Sequence, residues 1–88
     1  MVFRRADNVV VQVVDERAFL LDERGEEMIV LNQVGSMVWD ALDGERGDSA
    51  IAASLVDQFE DVSLSDLERD VRDFLDELSK LGLVAEVN

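Results

Sequence analysis

The stretch Met28–Gly44, MIVLNQVGSMVWDALDG, changes its repeat in the middle. Met28 to Leu31 places apolar side chains at four consecutive positions, and with Asn32 it reads as a strand. From Gln33 to Leu42 the apolar residues are Val34, Met37, Val38, Ala41 and Leu42. That i, i+3, i+4, i+7, i+8 spacing is the signature of a helix with one buried face. Trp39, the only tryptophan, lies on the flank of that face. Its expected role is scaffold, plugging the helix against the sheet together with Val34 and Val38. Gly44 and Gly47 then supply the stop and the turn. The switch near Asn32 divides the chain into a β half and an α half.

Upstream, Asn8 to Val14 (NVVVQVV) is dense in valine and reads as a first strand. Asp15-Glu16-Arg17 reads as a polar turn, and Ala18 to Asp22 as a second strand. Glu23-Arg24-Gly25 breaks the chain again, with a glycine able to take positive φ before the strand at Met28. Three strands joined by turns this short must run antiparallel, because parallel neighbours need crossovers of a dozen residues or more. All β structure is therefore expected at the N-terminal end, apart from a short extended segment at Leu83–Val87.

Downstream, Asp48 or Ser49 is placed to cap a short helix, AIAASLVDQF, whose apolar stripe is Ile51, Leu55 and Phe59. The third helix has the clearest start: Ser63 or Ser65 is positioned as its cap, and Ser65-x-x-Glu68 matches a capping box. Leu67, Val71, Phe74, Leu78 and Leu81 hold one face until Gly82 ends it. The fold class expected is α+β and winged-helix-like, a three-stranded antiparallel sheet followed by three helices in one domain over residues 1–88.

Composition narrows the chemistry. Apolar residues make up 48% of the chain and charged residues 33%, a balance that folds. The chain has no cysteine, histidine or tyrosine, which removes thiol nucleophiles, the commonest general base and soft metal ligands. Carboxylate pairs such as Asp70 and Asp73, or Asp76 and Glu77, fall on the polar side of an amphipathic helix and read as a solvated face. The acidic run around Asp57–Glu68 lacks the spacing, glycine and closing glutamate of a calcium loop. Ser36 and Ser54 lie in helices with no base nearby and no nucleophile elbow. Catalysis, metal and cofactors are not expected. Twenty-one acidic residues against eight basic ones give a net charge of −13, which repels nucleic-acid phosphates. A cysteine-free chain suits a reducing compartment, and neither a signal-peptide core nor a run of about 20 apolar residues is present, so a cytoplasmic protein without membrane contact is expected.

Two features exceed that background. The strand at Met28 is apolar on both faces, where a surface hairpin would alternate. The third helix has an apolar stripe wide enough for two neighbours, with Leu75 beside the Phe74–Leu78 seam. If the strand lies at the sheet edge beside that helix, the groove between them offers backbone pairing on one wall and apolar anchorage on the other, the arrangement of β-augmentation.

The ordered motifs L-N-x-x-G-x-x-V-W-D-A-L-D-G and D-V-R-D-F-L-D-E-L-S-K-L-G-L-V, with the Leu55 and Phe59 helix between them, resemble the PqqD-like family of peptide-recognition domains known as RiPP recognition elements. The likeness runs from about Val9 to Val84. It implies three strands followed by three helices, with the leader of a ribosomally made precursor peptide docking as an added strand between the third strand and the third helix. A free-standing copy looks most like the leader-binding component of lasso-peptide biosynthesis, which presents the precursor to a leader peptidase and then a cyclase. The rival reading is a PqqD-type chaperone for a radical enzyme in quinone-cofactor biosynthesis; a winged-helix transcriptional regulator is a third, disfavoured by the acidic helix. Carried onto this chain, the strand wall is Met28, Ile29, Val30 and Leu31, with strand parity open. The helix wall is Val71, Phe74, Leu75 and Leu78, and the rim is Asp70, Asp73 and Glu77.

Overall fold

The structure, a computed structural model, describes residues 2–7, 9–22, 25, 26 and 28–87. Strand β2 (Val10–Val14) turns into β3 (Arg17–Leu21), which is followed by β4 (Met28–Val30), forming an antiparallel sheet in the order β2-β3-β4. The expected meander is present. Its first turn is tighter than expected: Arg17 already belongs to β3, pairing with Val14, which leaves Asp15 and Glu16 as a two-residue loop. Both have positive φ, 51° and 68°, the primed-turn geometry that matches strand twist but that side chains resist. The break at 23–25 is described only at Gly25, whose φ of 70° and N–H bond to Asp22 O fit the expected turn glycine; Glu23, Arg24 and Asn8 fall outside the described residues.

The sheet is not the only one. Phe3–Arg5 forms β1 and pairs antiparallel with β5 (Val84–Glu86), joining the two ends of the described chain into a separate two-stranded ribbon. The expectation of a single three-stranded N-terminal sheet is corrected here: the described residues form two sheets, of two and three strands. Three-residue strands lack enough alternation to be read locally, and this pair exists because Phe3 and Val84 bury their side chains in the common core. The reading of Leu83–Val87 as extended was right, and the partner strand was missed.

Helix α1 (Gln33–Ala41) starts at Asn32, whose side chain accepts the Gly35 N–H at 2.8 Å. Helix α2 (Asp48–Leu55) is capped by Gly47, not by Asp48 or Ser49, and passes into a 3-10 turn at Val56–Gln58. Asp48 instead lies in the first helical turn, where its charge suits the positive end of the helix dipole and the Arg72 guanidinium meets it at 2.9 Å. Helix α3 (Leu64–Lys80) is capped by Ser63, whose hydroxyl accepts the Asp66 N–H at 3.1 Å, so the Ser65–Glu68 box is not the cap in use. At its other end Gly82 N–H bonds Ser79 O and Leu83 N–H bonds Leu78 O, with Gly82 at φ 77°: a Schellman ending that also buries Leu83 against the core.

The core gathers Leu20, Leu31, Val38, Trp39, Ile51, Val71, Leu75 and Leu78 from the larger sheet and all three helices. Trp39 is fully buried, as a scaffold residue should be, yet the group seen over its ring is Arg5 of β1, at 5.3 Å from the centroid. The same guanidinium donates to Trp39 O at 2.7 Å and to Asp40 O at 3.3 Å, supplying the cation that the last turn of α1 lacks. In the turn after α1, the Asp43 carboxylate accepts N–H groups from Arg46 and Glu45 and the Arg46 side chain, which holds its pKa down at about 2.

Candidate functional site

Strand β4 pairs with β3 through Phe19–Val30, Leu20–Ile29 and Leu21–Met28, and no strand lies on its other side among the described residues. Parity follows from one bond. Leu31 N–H donates to Ala18 O at 2.8 Å, so Ala18 and Leu31 form a hydrogen-bonded pair, and in an antiparallel ladder such pairs recur at every second residue. Ile29 therefore directs its N–H and C=O at β3. Met28 and Val30 direct theirs at the free edge. Side chains alternate in step: Ile29 and Leu31 turn toward the helices, while Met28 and Val30 stand on the outer face, 63% and 44% exposed.

Where β4 passes into α1, a buried hydroxyl holds the junction. Ala18 N–H donates to Ser36 Oγ at 2.9 Å, and Ser36 Oγ lies 3.5 Å from Leu31 O. The serine thus takes the place of the direct bond that Ala18 would otherwise make, and ties the first turn of α1 to β3 at the end of the edge strand. Read from sequence, Ser36 had no role; its position six residues after the end of β4 was the only available signal.

Beside this junction, Asn32, Val34, Gly35 and Val38 of the α1 side face Asp70, Val71 and Phe74 of α3 across a pocket of about 270 Å³. Gly35 allows this approach. A methyl group there would sit 3.3 Å from two ring carbons of Phe74 and 3.2 Å from the Asn32 Oδ1 that caps the helix. A glycine in the first turn of a helix costs about 1 kcal/mol relative to alanine, so such a residue marks a contact that needs its missing side chain.

The residues expected at the site separate into two groups. Val71, Phe74 and Asp70 line the pocket; Asp73 and Glu77 lie exposed on the same flank of α3 as Asp70, at the i+3 and i+7 positions. Leu75, Leu78 and, on the strand side, Leu31 are buried in the core and do not line the pocket; Val71 lines it but is itself only 1% exposed, a core residue at the pocket floor. Phe74 belongs to the groove side of the helix and is only half-buried, while Leu81, expected on the buried face, is exposed. Asn32, Val34, Gly35 and Val38 were not expected at the site. No group of histidine, cysteine, aspartate or glutamate suited to a metal ion occurs among the described residues, nor does a helix there have the length and apolarity to cross a membrane.

The free β4 edge runs through Leu31 to Asn32 at the rim of the α1–α3 pocket, whose lining includes none of Met28–Leu31. Residues 17–84 match the family model described as coenzyme PQQ synthesis protein D (PqqD), and the chain belongs to that family. A comparison with curated proteins gave no match. Among solved structures, TbiB1 in complex with the TbiA(beta) leader peptide superposes with a TM-score of 0.84 at 27% identity, covering 97% of this chain and 98% of the other. Lasso peptide synthetase B1 complexed with the leader peptide gives 0.83 at 26%, covering 97% and 99%. The heterocyclase TruD matches at 0.66 and 20% identity over 98% of this chain but 11% of its own, a likeness of fold.

Proposed function

We propose that this chain is a RiPP recognition element: a non-catalytic adaptor that binds the leader segment of a ribosomally synthesised precursor peptide and presents it to a leader peptidase and a cyclase during lasso-peptide maturation. The observation that carries the reading is the free edge of β4 ending beside the α1–α3 pocket. Met28 and Val30 offer their N–H and C=O groups to an added strand. A side chain of that strand opposite Ile29 turns toward α3, where the half-buried Phe74 gives it apolar contact. The two full-length structural matches, both complexes with leader peptides, support the same reading. One groove of this size fits affinities in the nanomolar to micromolar range, carried by a few anchors in the cleft.

The description of the family model keeps a second reading in view, a peptide chaperone in quinone-cofactor biosynthesis with the same groove and a different client. The neighbouring genes discriminate: a short precursor gene with peptidase and cyclase genes supports the lasso pathway, and a radical-enzyme gene supports the other.

The groove itself is tested by amide exchange with a synthetic leader taken from the neighbouring precursor gene. Protection should rise at Met28 and Val30 on binding, with a smaller rise over residues 70–78. Val30→Pro deletes an edge donor and should abolish binding with the fold retained, whereas Ile29→Pro removes a ladder bond and should destabilise the sheet. Protection confined to α3, with the β4 amides unchanged, would replace strand addition by a contact on the helix alone.

A further inference from the structure

The groove described above has one polar wall, and its charge is of one sign. On α3 the positions i+3, i+4 and i+7 from Asp70 are Asp73, Phe74 and Glu77. The aromatic anchor is therefore flanked along the helix by carboxylates. The cations of α3 are mostly engaged elsewhere: Arg72 reaches across to Asp48 on α2 at 2.9 Å, and Lys80 pairs with Asp76 at 3.3 Å. Arg69 lies 3.5 Å from Asp66 and 4.0 Å from Asp70, both pairs exposed. No cation lies within 4 Å of Asp73 or Glu77 among the described residues. Like charges at these spacings weaken an isolated helix, a cost offset in part by Arg69 beside Asp70 and by the Arg72 charge near Asp73. Asp70 also contributes directly to the pocket lining, next to Phe74 and Val71. An extended peptide in the groove passes within reach of these carboxylates, in a chain whose net charge of −13 draws cations from a distance.

We propose that the leader taken by this groove is basic, with lysine or arginine side chains beside its apolar anchors lying along the Asp70–Asp73–Glu77 flank of α3. The proposal rests on the reading of the groove as the leader site and adds the chemistry of its occupant. The apolar stems of such residues pack against Phe74 while their heads stay in water at the carboxylates. Exposed pairs of this kind add little to affinity one by one; their effect is on encounter rate and on selection among peptides. The association is accordingly salt-sensitive, because exposed charges are screened beyond about 10 Å at 0.1 M ionic strength.

The test uses a phage-displayed library of random 16-residue peptides, selected in parallel on the wild-type chain and on the Asp70→Asn/Asp73→Asn/Glu77→Gln variant, with Val30→Pro as the control for the groove. Peptides that bind the wild type and fail on Val30→Pro should be enriched in lysine and arginine at fixed offsets from an apolar residue, and the enrichment should vanish on the neutralised variant. For the strongest of them, association measured by stopped flow should slow about tenfold between 0.02 and 0.5 M salt on the wild type, and much less on the variant. Groove-dependent peptides without basic enrichment would overturn this inference and leave the groove standing. An absence of Val30-dependent peptides would overturn the groove reading and this inference with it.

Discussion

Replacing Ser36 by alanine removes one oxygen from a buried position, and the structure shows what that oxygen holds. Its Oγ accepts the Ala18 N–H at 2.9 Å and lies within 3.5 Å of Leu31 O, with the residue only 6% exposed. In Ser36→Ala the Ala18 N–H loses its partner in a place where water cannot substitute. An orphaned buried donor costs about 1–3 kcal/mol. The weaker contact to Leu31 adds little, because Arg17 Nε also reaches that carbonyl, at 3.4 Å. The expected loss is therefore about 2 kcal/mol, which in a domain of this size lowers Tm by roughly 8–16 °C. Urea unfolding followed by circular dichroism measures it, and an unchanged m-value would show that the native state remains as compact as before. Ser36→Thr keeps the hydroxyl and should recover part of the loss. A destabilisation below about 0.5 kcal/mol would mean that Ala18 re-forms a direct bond to Leu31, and that the serine is not what joins α1 to the sheet.

Three other substitutions follow from the same geometry. Gly35→Ala sets a gain in helix propensity of about 1 kcal/mol against crowding of Phe74 and the Asn32 cap, so stability should change by less than about 1 kcal/mol. Leader binding, read by fluorescence polarisation, should nevertheless weaken by about tenfold or more as the ring shifts into the groove; unchanged binding would place Phe74 outside the contact. Glu16→Gly relieves a side chain at φ 68° and should raise stability by about 0.5–1 kcal/mol in thermal melts, after the extra freedom of glycine in the unfolded chain is subtracted. Burial alone would push the Asp48 pKa up, but hydrogen bonds and nearby positive charge, with the Arg72 hydrogen bond the largest, outweigh it and hold it below the ordinary 3.8. The stability from this depressed carboxylate is complete above the unfolded value and is lost as the pH falls through the lower folded value, so Asp48→Asn should flatten the acid limb of a stability–pH curve below about pH 4. An acid limb identical to the wild type would assign that loss to other carboxylates.

The elements that the sequence revealed are those with enough residues to carry a period. Nine residues of α1 and seventeen of α3 each show their apolar stripe over two or more turns, and the valine-rich β2 with its neighbours shows a meander that short turns force to be antiparallel. On α3 the stripe was read rotated: Phe74 and Leu81 were put on the buried face and Leu75 beside it, whereas Leu75 is fully buried. Phe74 and Leu81 lie on one edge of the buried face set by Leu67, Val71, Leu75 and Leu78, roughly 55° and 75° from its centre at 100° per residue, and a helical repeat alone does not say where that face ends.

Local pattern therefore determined the three-stranded meander, the order of the three helices after it and the apolar faces that each carries, because these depend on neighbours within one or two turns of chain. Only the tertiary structure decided which residues form the groove. Strand parity depends on a single bond between Leu31 and Ala18, thirteen residues apart; the Ser36 bridge and the Gly35–Phe74 approach depend on how α1 packs against β3 and α3. The β1–β5 ribbon depends on two three-residue segments near opposite ends of the chain. Such contacts leave no period in the sequence, because the free energy that selects them comes from burial and hydrogen bonding between segments that meet only once the chain has folded.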